Sequence, residues 1–499
     1  MDFLQSILFG FQASLQPINL AYCFMGVLIG TLIGVLPGIG PAGAMAILLP
    51  ATFHAPRLSS IIMLAGIYYG AMYGGSTTSI LVNIPGEPSS IVTCLDGYQL
   101  ARQGRAGPAL GIAAFGSFIA GTFGVVGLMA IAGPLARFAL KFGPPEYVGL
   151  MVLGLIILTY LTEKSFMKSI TMAVFGLILS YIGLDLISGQ VRFTLNKDQL
   201  LEGIGMVPMV MGLFGVAEVL ENIEAAVDRS IFKAHIKGLF PSLKDWAASI
   251  WAIIRGTVVG FFLGILPGGG AILASFVSYA VEKKVSKHPE KFGKGAIEGV
   301  AGPEAANNAA SSGAFVPLMT LGIPSNVVMA MLFAGLVIHG IRPGPLLIKD
   351  YPEVFWGVIS SMYIGNIMLL ALNLPLIGIW VKLLKVPFRF LFPMIILFCL
   401  VGVYSINNSV FDIWVMIIFG VVGYIMRKCD FEPAPLVLAF VLGPMLEQAL
   451  RQSLIISDGS FTIFMTRPIS AASLTVCALL LLAAGTKYSR RKRAEVLRE

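Results

Sequence analysis

Four interruptions of otherwise apolar segments hold the residues of this chain that are best suited to bind a small anion. They are Leu36–Pro41, Asn83–Ser90, Leu266–Gly270 and Leu321–Asn326, called breaks 1 to 4 below, and each contains proline and glycine. Another apolar run follows each break, so a helix is predicted to start there with unpaired N–H groups and the positive end of its dipole. Glycine lets a carboxylate approach the backbone, and proline favours the helix-starting φ angle.

The candidate substrate-binding residues are the glycines, prolines and small polar residues of these breaks: Pro37, Gly38, Gly40, Asn83, Pro85, Gly86, Ser89, Pro267, Gly268, Gly269, Gly270, Gly322, Pro324, Ser325 and Asn326. Carbonyl groups left unpaired where the preceding helix ends are hard oxygen ligands suited to a coupling Na⁺. Substrate and cation are both expected at the breaks, and either could occupy any of them. Glycines scattered elsewhere are predicted to serve helix packing.

Polar residues next to breaks 2 and 4 are candidates for a cation site or a water-filled path. The small ones either line such a path or hydrogen-bond neighbouring helices, and they are Ser76, Thr77, Asn307 and Asn308. Glu87 and Glu304 are stronger candidates, because an ionisable group at membrane depth is functional by default.

Transmembrane helices must position these residues. Of 499 residues, 57% are hydrophobic and 12% are charged, against about 25% charged residues in soluble domains. Apolar stretches long enough to cross a bilayer core of about 30 Å recur along the chain. They include Tyr22–Leu36, Leu110–Ala132, Tyr147–Leu161, Phe355–Ile379, Phe390–Tyr404 and Ala471–Ala484. We expect an all-α polytopic membrane protein without a sizeable soluble domain.

The chain contains one pattern twice. The stretch GVLIGTLIGVLPGIGPAGA (Gly26–Ala44) returns as GTVVGFFLGILPGGGAILA (Gly256–Ala274), and Ser79–Ser90 resembles Pro317–Val328. Lysines and arginines lie on both sides of the second copy, whereas the first copy has none before it and only Arg57 soon after it. Equivalent loops are therefore predicted to face opposite sides of the membrane. This indicates two inverted-topology repeats, residues 1–243 and 244–465, followed by an extra helix with a basic tail, residues 466–499.

Two arrangements of the repeats agree with the pattern. In one, Asn19–His54 and Trp246–Glu282 are re-entrant hairpins whose tips meet near the bilayer midplane. In the other, the helices are broken, with a full span followed by a half-helix. The basic run Lys487–Arg493 follows the last apolar segment, so the C-terminus is predicted to be cytoplasmic.

Several other chemistries are not indicated. The G-x-G-x-x-G match at Gly38–Gly43 follows an apolar helix rather than a strand, and the chain has no phosphate-binding P-loop motif. Its histidines and five cysteines lack metal-ligand spacing. The formal charge of +8 lies in short segments between apolar stretches, as expected of cytoplasmic loops rather than of a nucleic-acid site. We therefore predict no enzyme activity, no metal and no cofactor.

The longest motifs resemble the large membrane subunit of the tripartite tricarboxylate transporters, the TctA family. The most specific stretches are Gly34–Pro50, Tyr73–Ser90, Gly104–Gly124, Phe142–Tyr147 and Gly264–Pro324. The resemblance covers nearly the whole chain. At break 4 the family pattern is Gly-Ile-Pro-Gly, whereas this chain has serine at position 325, so its hydroxyl is expected to contact the ligand.

The resemblance implies a secondary transporter of the bacterial inner membrane that imports a small carboxylate, a tri- or dicarboxylate, with a Na⁺ or H⁺ gradient. It implies two protein partners, a periplasmic solute-binding protein and a small four-helix membrane subunit, and a homodimer of the complex. A more distant similarity implies elevator-type alternating access. A stand-alone ion channel would instead need rings of filter residues, and a non-transport membrane assembly protein is the other alternative.

Overall fold

The computed structural model is almost entirely helical. It describes residues 3–36, 40–161, 165–185, 187–224, 238–268, 270–383 and 388–496. Within this part of the chain, eight helices are long and apolar enough to cross a membrane. The prediction of an all-α polytopic membrane protein is therefore confirmed.

The described residues of the first half form ten α-helices and one short hairpin. The helices are α1 (Phe3–Ser14), α2 (Pro17–Val35), α3 (Gly40–Leu48), α4 (Arg57–Val82), α5 (Ile91–Arg102), α6 (Ala106–Ala139), α7 (Pro144–Leu161), α8 (Phe166–Ser180), α9 (Met206–Val210) and α10 (Ala217–Glu224). A π-helical segment, Met211–Val216, joins α9 to α10. Strands β1 (Gly183–Leu184) and β2 (Val191–Arg192) pair antiparallel between α8 and α9.

The second half begins with α11, and the part of it that the structure describes forms thirteen α-helices. They are α11 (Leu243–Ile265), α12 (Gly270–Val285), α13 (Glu298–Gly313), α14 (Phe315–Leu321), α15 (Val327–Ile338), α16 (Leu347–Asp350), α17 (Pro352–Asn373), α18 (Ile377–Leu383), α19 (Phe388–Asn407), α20 (Val410–Lys428), α21 (Pro433–Ile456), α22 (Ile463–Thr466) and α23 (Pro468–Val496). The apolar stretch Phe355–Ile379 is thus two helices, because α17 ends at Asn373.

Both halves open with the same arrangement of helices and breaks. In each half, a long helix is followed by a break and a second helix. A further helical segment then leads to another break, after which the last helix of the set begins. In the first half these are α2, α3, α4 and α5; in the second they are α11, α12, α13 with α14, and α15. The predicted boundary at 243/244 falls at the start of α11.

The repeated glycines bring the first long helix of each half against the next. In both pairs, a glycine every four residues meets the facing backbone, and an added Cβ atom would collide with it. The contacts are Gly26 with Met63, Gly30 with Ile67, Gly34 with Ala71, Gly256 with Gly302, Gly260 with Ala306, and Gly264 with Ala310. Residue numbers rise together along both members of each pair, so α2 runs parallel to α4, and α11 to α13.

The two equivalent long helices cross in opposite directions. Ser76 on α4 hydrogen-bonds Glu304 on α13 at 2.6 Å. Tyr68, earlier on α4, packs against Phe315 on α14 with ring centroids 6.4 Å apart. Because the earlier residue on α4 meets the later residue on the other helix, α4 and α13–α14 run antiparallel.

Helices α11 and α12 lie side by side and antiparallel. Arg255, ten residues before the end of α11, donates to Glu282, twelve residues into α12. The Nε to Oε1 distance is 2.8 Å and the Nη2 to Oε2 distance is 2.6 Å. Such a pairing requires the chain to reverse at break 3. With 23 residues, α11 is about 35 Å long, enough to cross a bilayer.

An ion-pair network fastens the short hairpin to α21. Asp185 contacts Arg192 and Arg451, and both arginines also contact Glu447. The Ser188 hydroxyl donates a further hydrogen bond to Asp185. This hydroxyl, the Ile187 N–H and the two arginines hold the pKa of Asp185 below its ordinary value.

Candidate functional site

Breaks 1 and 2 lie against each other in the first half. The Thr78 hydroxyl, just before break 2, donates to the carbonyl of Val35, just before break 1, at 2.6 Å. Gly86 contacts the Gly34 carbonyl, and an added Cβ atom there would lie 2.7 Å from the Cα of Gly75. Glycine at 86 is therefore required by this close approach. Of the predicted residues of break 1, Pro37 and Gly38 lie outside the described residues.

Breaks 3 and 4 are joined in the second half by a backbone hydrogen bond. The Gly268 N–H donates to the Ser325 carbonyl at 2.8 Å. Break 3 also packs on α7, where Pro267 lies against Gly154 and Gly268 lies against Leu158. A large residue at 268 would collide with Leu158 whether or not a ligand binds nearby. Gly269 lies outside the described residues.

The two pairs of breaks also contact each other. The 3₁₀ turn Pro88–Ser90 of break 2 packs on α12, which follows break 3, and α15, which follows break 4, packs on α3, which follows break 1. The Asn326 side-chain amide donates to the Tyr68 hydroxyl at 3.3 Å. Tertiary packing therefore brings all four breaks into one region, with contributions from both halves.

Breaks 1 and 3 end in the same backbone conformation. Gly40 begins α3 with φ +64°, and Gly270 begins α12 with φ +49°. Both values lie in the left-handed region that glycine adopts readily. Among the described residues other than the adjacent ones in the chain, no heavy atom lies within 4 Å of an added Cβ atom at either position, and both glycines are half-buried. Each of these helix starts therefore has open space beside it.

Breaks 2 and 4 match each other residue by residue. A left-handed residue ends the preceding helix, Asn83 with φ 59° and Gly322 with φ 72°, and Ile-Pro follows in both. The sequence comparison of Ser79–Ser90 with Pro317–Val328 set Asn83 opposite Leu321, so the structural match is shifted by one residue.

Side chains of the protein itself cap the helix starts at breaks 2 and 4. Glu87 accepts from the Ser89 N–H at 2.9 Å, and Asn326 accepts from the Met329 N–H at 2.9 Å. These two helix starts differ from the prediction that the helix after every break begins with unpaired N–H groups. The physical reason is that a helix start inside a protein needs hydrogen-bond acceptors, which these side chains supply.

The remaining predicted residues of breaks 2 and 4 differ in exposure. Asn83 is exposed and Pro85 is half-buried, whereas Ser89, Gly322 and Pro324 are buried. Ser325 is also buried, and its hydroxyl has no hydrogen-bond partner among the described residues. The Ser89 hydroxyl donates to the Glu87 carboxylate.

A buried polar cluster surrounds Glu304, which is 0% exposed. Its carboxylate accepts from the hydroxyls of Ser76 at 2.6 Å and of Thr93, and from the Asn307 amide at 3.3 Å. The three donors come from α4, α5 and α13. Within the described part of the chain, no lysine or arginine forms an ion pair with Glu304 or Glu87.

The cluster continues from Asn307 to α6. The Asn308 amide donates to Asn307 Oδ1 at 2.6 Å and to the Ser117 hydroxyl at 2.8 Å. Thr77 is buried beside Ser76 on α4. Sequence reasoning missed Thr93 and Ser117, because both lie outside the four breaks and the polar runs that lead into them. The signal that could have identified Thr93 is its position, six residues after Glu87 on the helix that break 2 starts.

Converging helix breaks and a buried carboxylate in a bundle of apolar helices are typical of membrane transport proteins. The sequence model of the family described as "Tripartite tricarboxylate transporter TctA family" matches residues 20–438. The chain belongs to this family, whose members are transporter subunits and not enzymes. It is accordingly a multi-pass membrane protein, and the family assignment predicted from its motifs is confirmed.

Two relatives from Agrobacterium vitis are similar to this chain. One, named "Uncharacterized 52.8 kDa protein in TAR-I ttuC' 3'region", is 51% identical over 495 residues, 99% of each chain. The other, named "Uncharacterized protein in TAR-II ttuC' 3'region", is 54% identical over 234 residues, 46% of this chain and 97% of that protein. No solved structure matches the chain.

Proposed function

We propose that this protein is the substrate-conducting subunit of a binding-protein-dependent secondary transporter that imports a small tri- or dicarboxylate across the bacterial inner membrane. The observation that carries the proposal is the convergence of four helix breaks from two halves, with open space beside two helix starts. A periplasmic solute-binding protein delivers the substrate, and a small four-helix membrane subunit completes the complex. These partners, and a homodimer of the complex, rest on membership of the family.

The substrate carboxylates bind at breaks 1 and 3. The starts of α3 and α12 have space at Gly40 and Gly270, and a helix N-terminus attracts an anion through its dipole and free N–H groups. Glu87 and Asn326 already occupy the helix starts at breaks 2 and 4. Breaks 2 and 4 therefore form the walls of the site and support the other two breaks.

Glu304 holds the coupling cation, H⁺ or Na⁺. A buried carboxylate without a basic partner is costly at membrane depth unless it binds a proton or a metal cation. The hydroxyls of Ser76 and Thr93 can either donate to the carboxylate or turn their oxygen lone pairs toward Na⁺. We expect Glu304→Gln to fold and to lose the dependence of uptake on the cation gradient.

The two halves form inverted repeats that permit elevator-type alternating access. The opposite directions of α4 and α13–α14, the matched glycine contacts and the reversal at break 3 support this arrangement. The basic run Lys487–Arg493, in the last part of α23, is cytoplasmic. Cysteines introduced for the exposed residues Arg57 and Lys287 should react with impermeant reagents from opposite sides; labelling from one side would contradict the inversion.

The substrate site is tested by uptake in cells that express the chain with its small subunit and binding protein. Asparagine tolerates the left-handed conformation, so Gly40→Asn and Gly270→Asn should insert normally and place a side chain in the open space. We expect each to reduce uptake of labelled di- or tricarboxylates at least tenfold. Gly459→Asn is the matched control, because Gly459 has φ +84° and no neighbour within 4 Å.

Wild-type uptake by both variants would refute the assignment of breaks 1 and 3 to the substrate. Uptake that proceeds without the binding protein would contradict the wider proposal and favour a channel.

A further inference from the structure

Asp96 on α5 is a fully buried carboxylate that the transport site does not use. It is 0% exposed. Its Oδ1 atom accepts three backbone hydrogen bonds, from Gly293 at 2.8 Å, Gly295 at 2.7 Å and Ala296 at 2.8 Å. Its Oδ2 atom accepts from the Tyr279 hydroxyl at 2.9 Å. One carboxylate of the first half thus accepts hydrogen bonds from a turn and a helix of the second half.

The surroundings of Asp96 are built for this contact. Gly299, at the start of α13, lies so close to the carboxylate that an added Cβ atom would collide with it, and Gly295 has φ +107°. Further along the same seam, the Gln103 amide donates to the Lys294 carbonyl at 2.8 Å. The segment that follows break 2 is therefore fixed to the turn between α12 and α13 at several points.

The equivalent position in the other half has no such contact. Asp96 lies nine residues after Glu87, and Gly335 lies nine residues after the matching cap, Asn326. Tyr279 and Leu49 likewise each lie nine residues after the matching glycines that start α12 and α3. At Gly335 an added Cβ atom would be 3.3 Å from Leu49 Cδ1, and its other neighbours are the side-chain ends of Leu64 and Ile61. The neighbours of Gly335 are thus apolar side chains of α4 and of the residue that follows α3, and the hydrogen bond of Asn326 to Tyr68 lies nine residues earlier, at the start of α15.

We propose that Asp96 locks α5, α12 and the start of α13 into one rigid body, so that the apolar contact of α15 with α3 and α4 is the surface that moves during transport. Four directional hydrogen bonds to a buried carboxylate cannot slide without leaving polar groups unpaired. Apolar side chains have no directional partner and can exchange neighbours in a shear motion. Asp96 is a positioning residue in this account, and the proposal rests on the proposed transport function.

Cross-linking distinguishes the locked contact from the mobile one. In a background without the five native cysteines, the pair Gln103→Cys and Lys294→Cys is bridged by a short bifunctional thiol reagent across the lock. In a second variant, Gly335→Cys with Leu49→Cys, the two thiols are oxidised to a disulfide across the apolar contact. We expect the first bridge to leave binding-protein-dependent uptake within about twofold of the unbridged protein, and the second to abolish it reversibly. Loss of uptake with the first bridge, or unchanged uptake with the second, would overturn the proposal.

Hydrogen exchange tests the same inference without transport. In the purified full-length protein, Asp96→Ala should raise the exchange rate of segment 292–297 by at least about tenfold, since charge-assisted hydrogen bonds are lost. Asp96→Asn, which keeps one acceptor, should give an intermediate rate, and Tyr279→Phe a smaller increase. Arg105→Gln is the control on this seam, because Arg105 pairs with Asp245 and is 42% exposed, and it should leave that segment unchanged.

The two readouts separate failure of the inference from failure of the transport function. If the unbridged parent imports no carboxylate, the transport function fails. The inference is then decided by the rate of amide hydrogen exchange in segment 292–297 and by whether the amides of α15 exchange faster than those of α5. Equal exchange of segment 292–297 in wild type and Asp96→Ala would refute the lock.

Discussion

The close crossing of α11 and α13 predicts a large effect from adding one methyl group at Gly260. An alanine Cβ atom there would lie 2.6 Å from the Cα atom of Ala306. Ordinary carbon contacts are about 3.5–4.0 Å, so the two helices would have to separate by roughly 1 Å. Because the collision is with backbone, no side-chain rotation relieves it. Overpacking of this kind costs about 1–3 kcal/mol.

Gly133→Ala is the matched control for Gly260→Ala. Gly133 also lies inside a long apolar helix, α6, but no heavy atom from elsewhere in the described structure is within 4 Å of an added Cβ atom. Alanine has the higher helix propensity, so this variant should gain up to about 1 kcal/mol. The two variants should therefore differ in stability by roughly 1–4 kcal/mol, although the chemical change is the same.

The assay is thermal unfolding of the detergent-purified protein, followed as the folded fraction that survives heating on size exclusion. The equivalent variant of the first half, Gly30→Ala, should also be destabilised, because its Cβ atom would lie 2.9 Å from the Ile67 Cα atom. If Gly260→Ala and Gly133→Ala melted at the same temperature, the close crossing of α11 and α13 would be refuted.

Three further predictions concern stability. Asn326→Ala removes a helix cap and should cost about 1 kcal/mol in thermal unfolding, whereas Asn326→Asp should retain the cap; equal losses would contradict the capping role. Asp185→Asn should free the hairpin for limited proteolysis. The Ser188 hydroxyl and two arginines lower the pKa of Asp185. The stabilisation that its carboxylate gives the hairpin is therefore complete above pH 3.8, the ordinary pKa of the group, and is lost only as the pH falls further. Cleavage of the wild-type protein that rises between pH 7 and pH 5 would contradict this. Arg255→Met leaves the buried Glu282 unpaired and should cost about 3 kcal/mol, while the double change of both residues to methionine should recover most of it; a double variant no more stable than the single one would argue against the pair.

Much of the fold follows from local chemistry that can be read along the chain. Helix spans are recognisable because about 20 apolar residues in succession have no other stable location than a membrane or a large core. Breaks are recognisable because proline lacks an N–H group and glycine tolerates left-handed backbone. The correspondence of Gly40 with Gly270 is visible in the sequence, and both glycines have the same conformation in the structure.

The sequence analysis was less successful wherever a residue's role depends on its distance from another part of the chain. The glycines before breaks 1 and 3 were noticed as a repeat, but only the structure shows that they bring neighbouring helices together. Glu87 was expected to be an ionisable group in a transport path, and the structure shows that it also caps a helix start. Asp96 has no sequence pattern around it, and the signal for Thr93 is no more than its position six residues after Glu87.

The amino-acid sequence by itself determined the membrane class, the helix breaks, the internal duplication and the family, because each depends on residue type and spacing. Tertiary structure alone decided which breaks keep open helix starts and which carboxylates accept hydrogen bonds from the other half. The physical reason is that a hydrogen bond depends on the positions of two groups, and Asp96 and Gly293, which share one, are far apart in the chain.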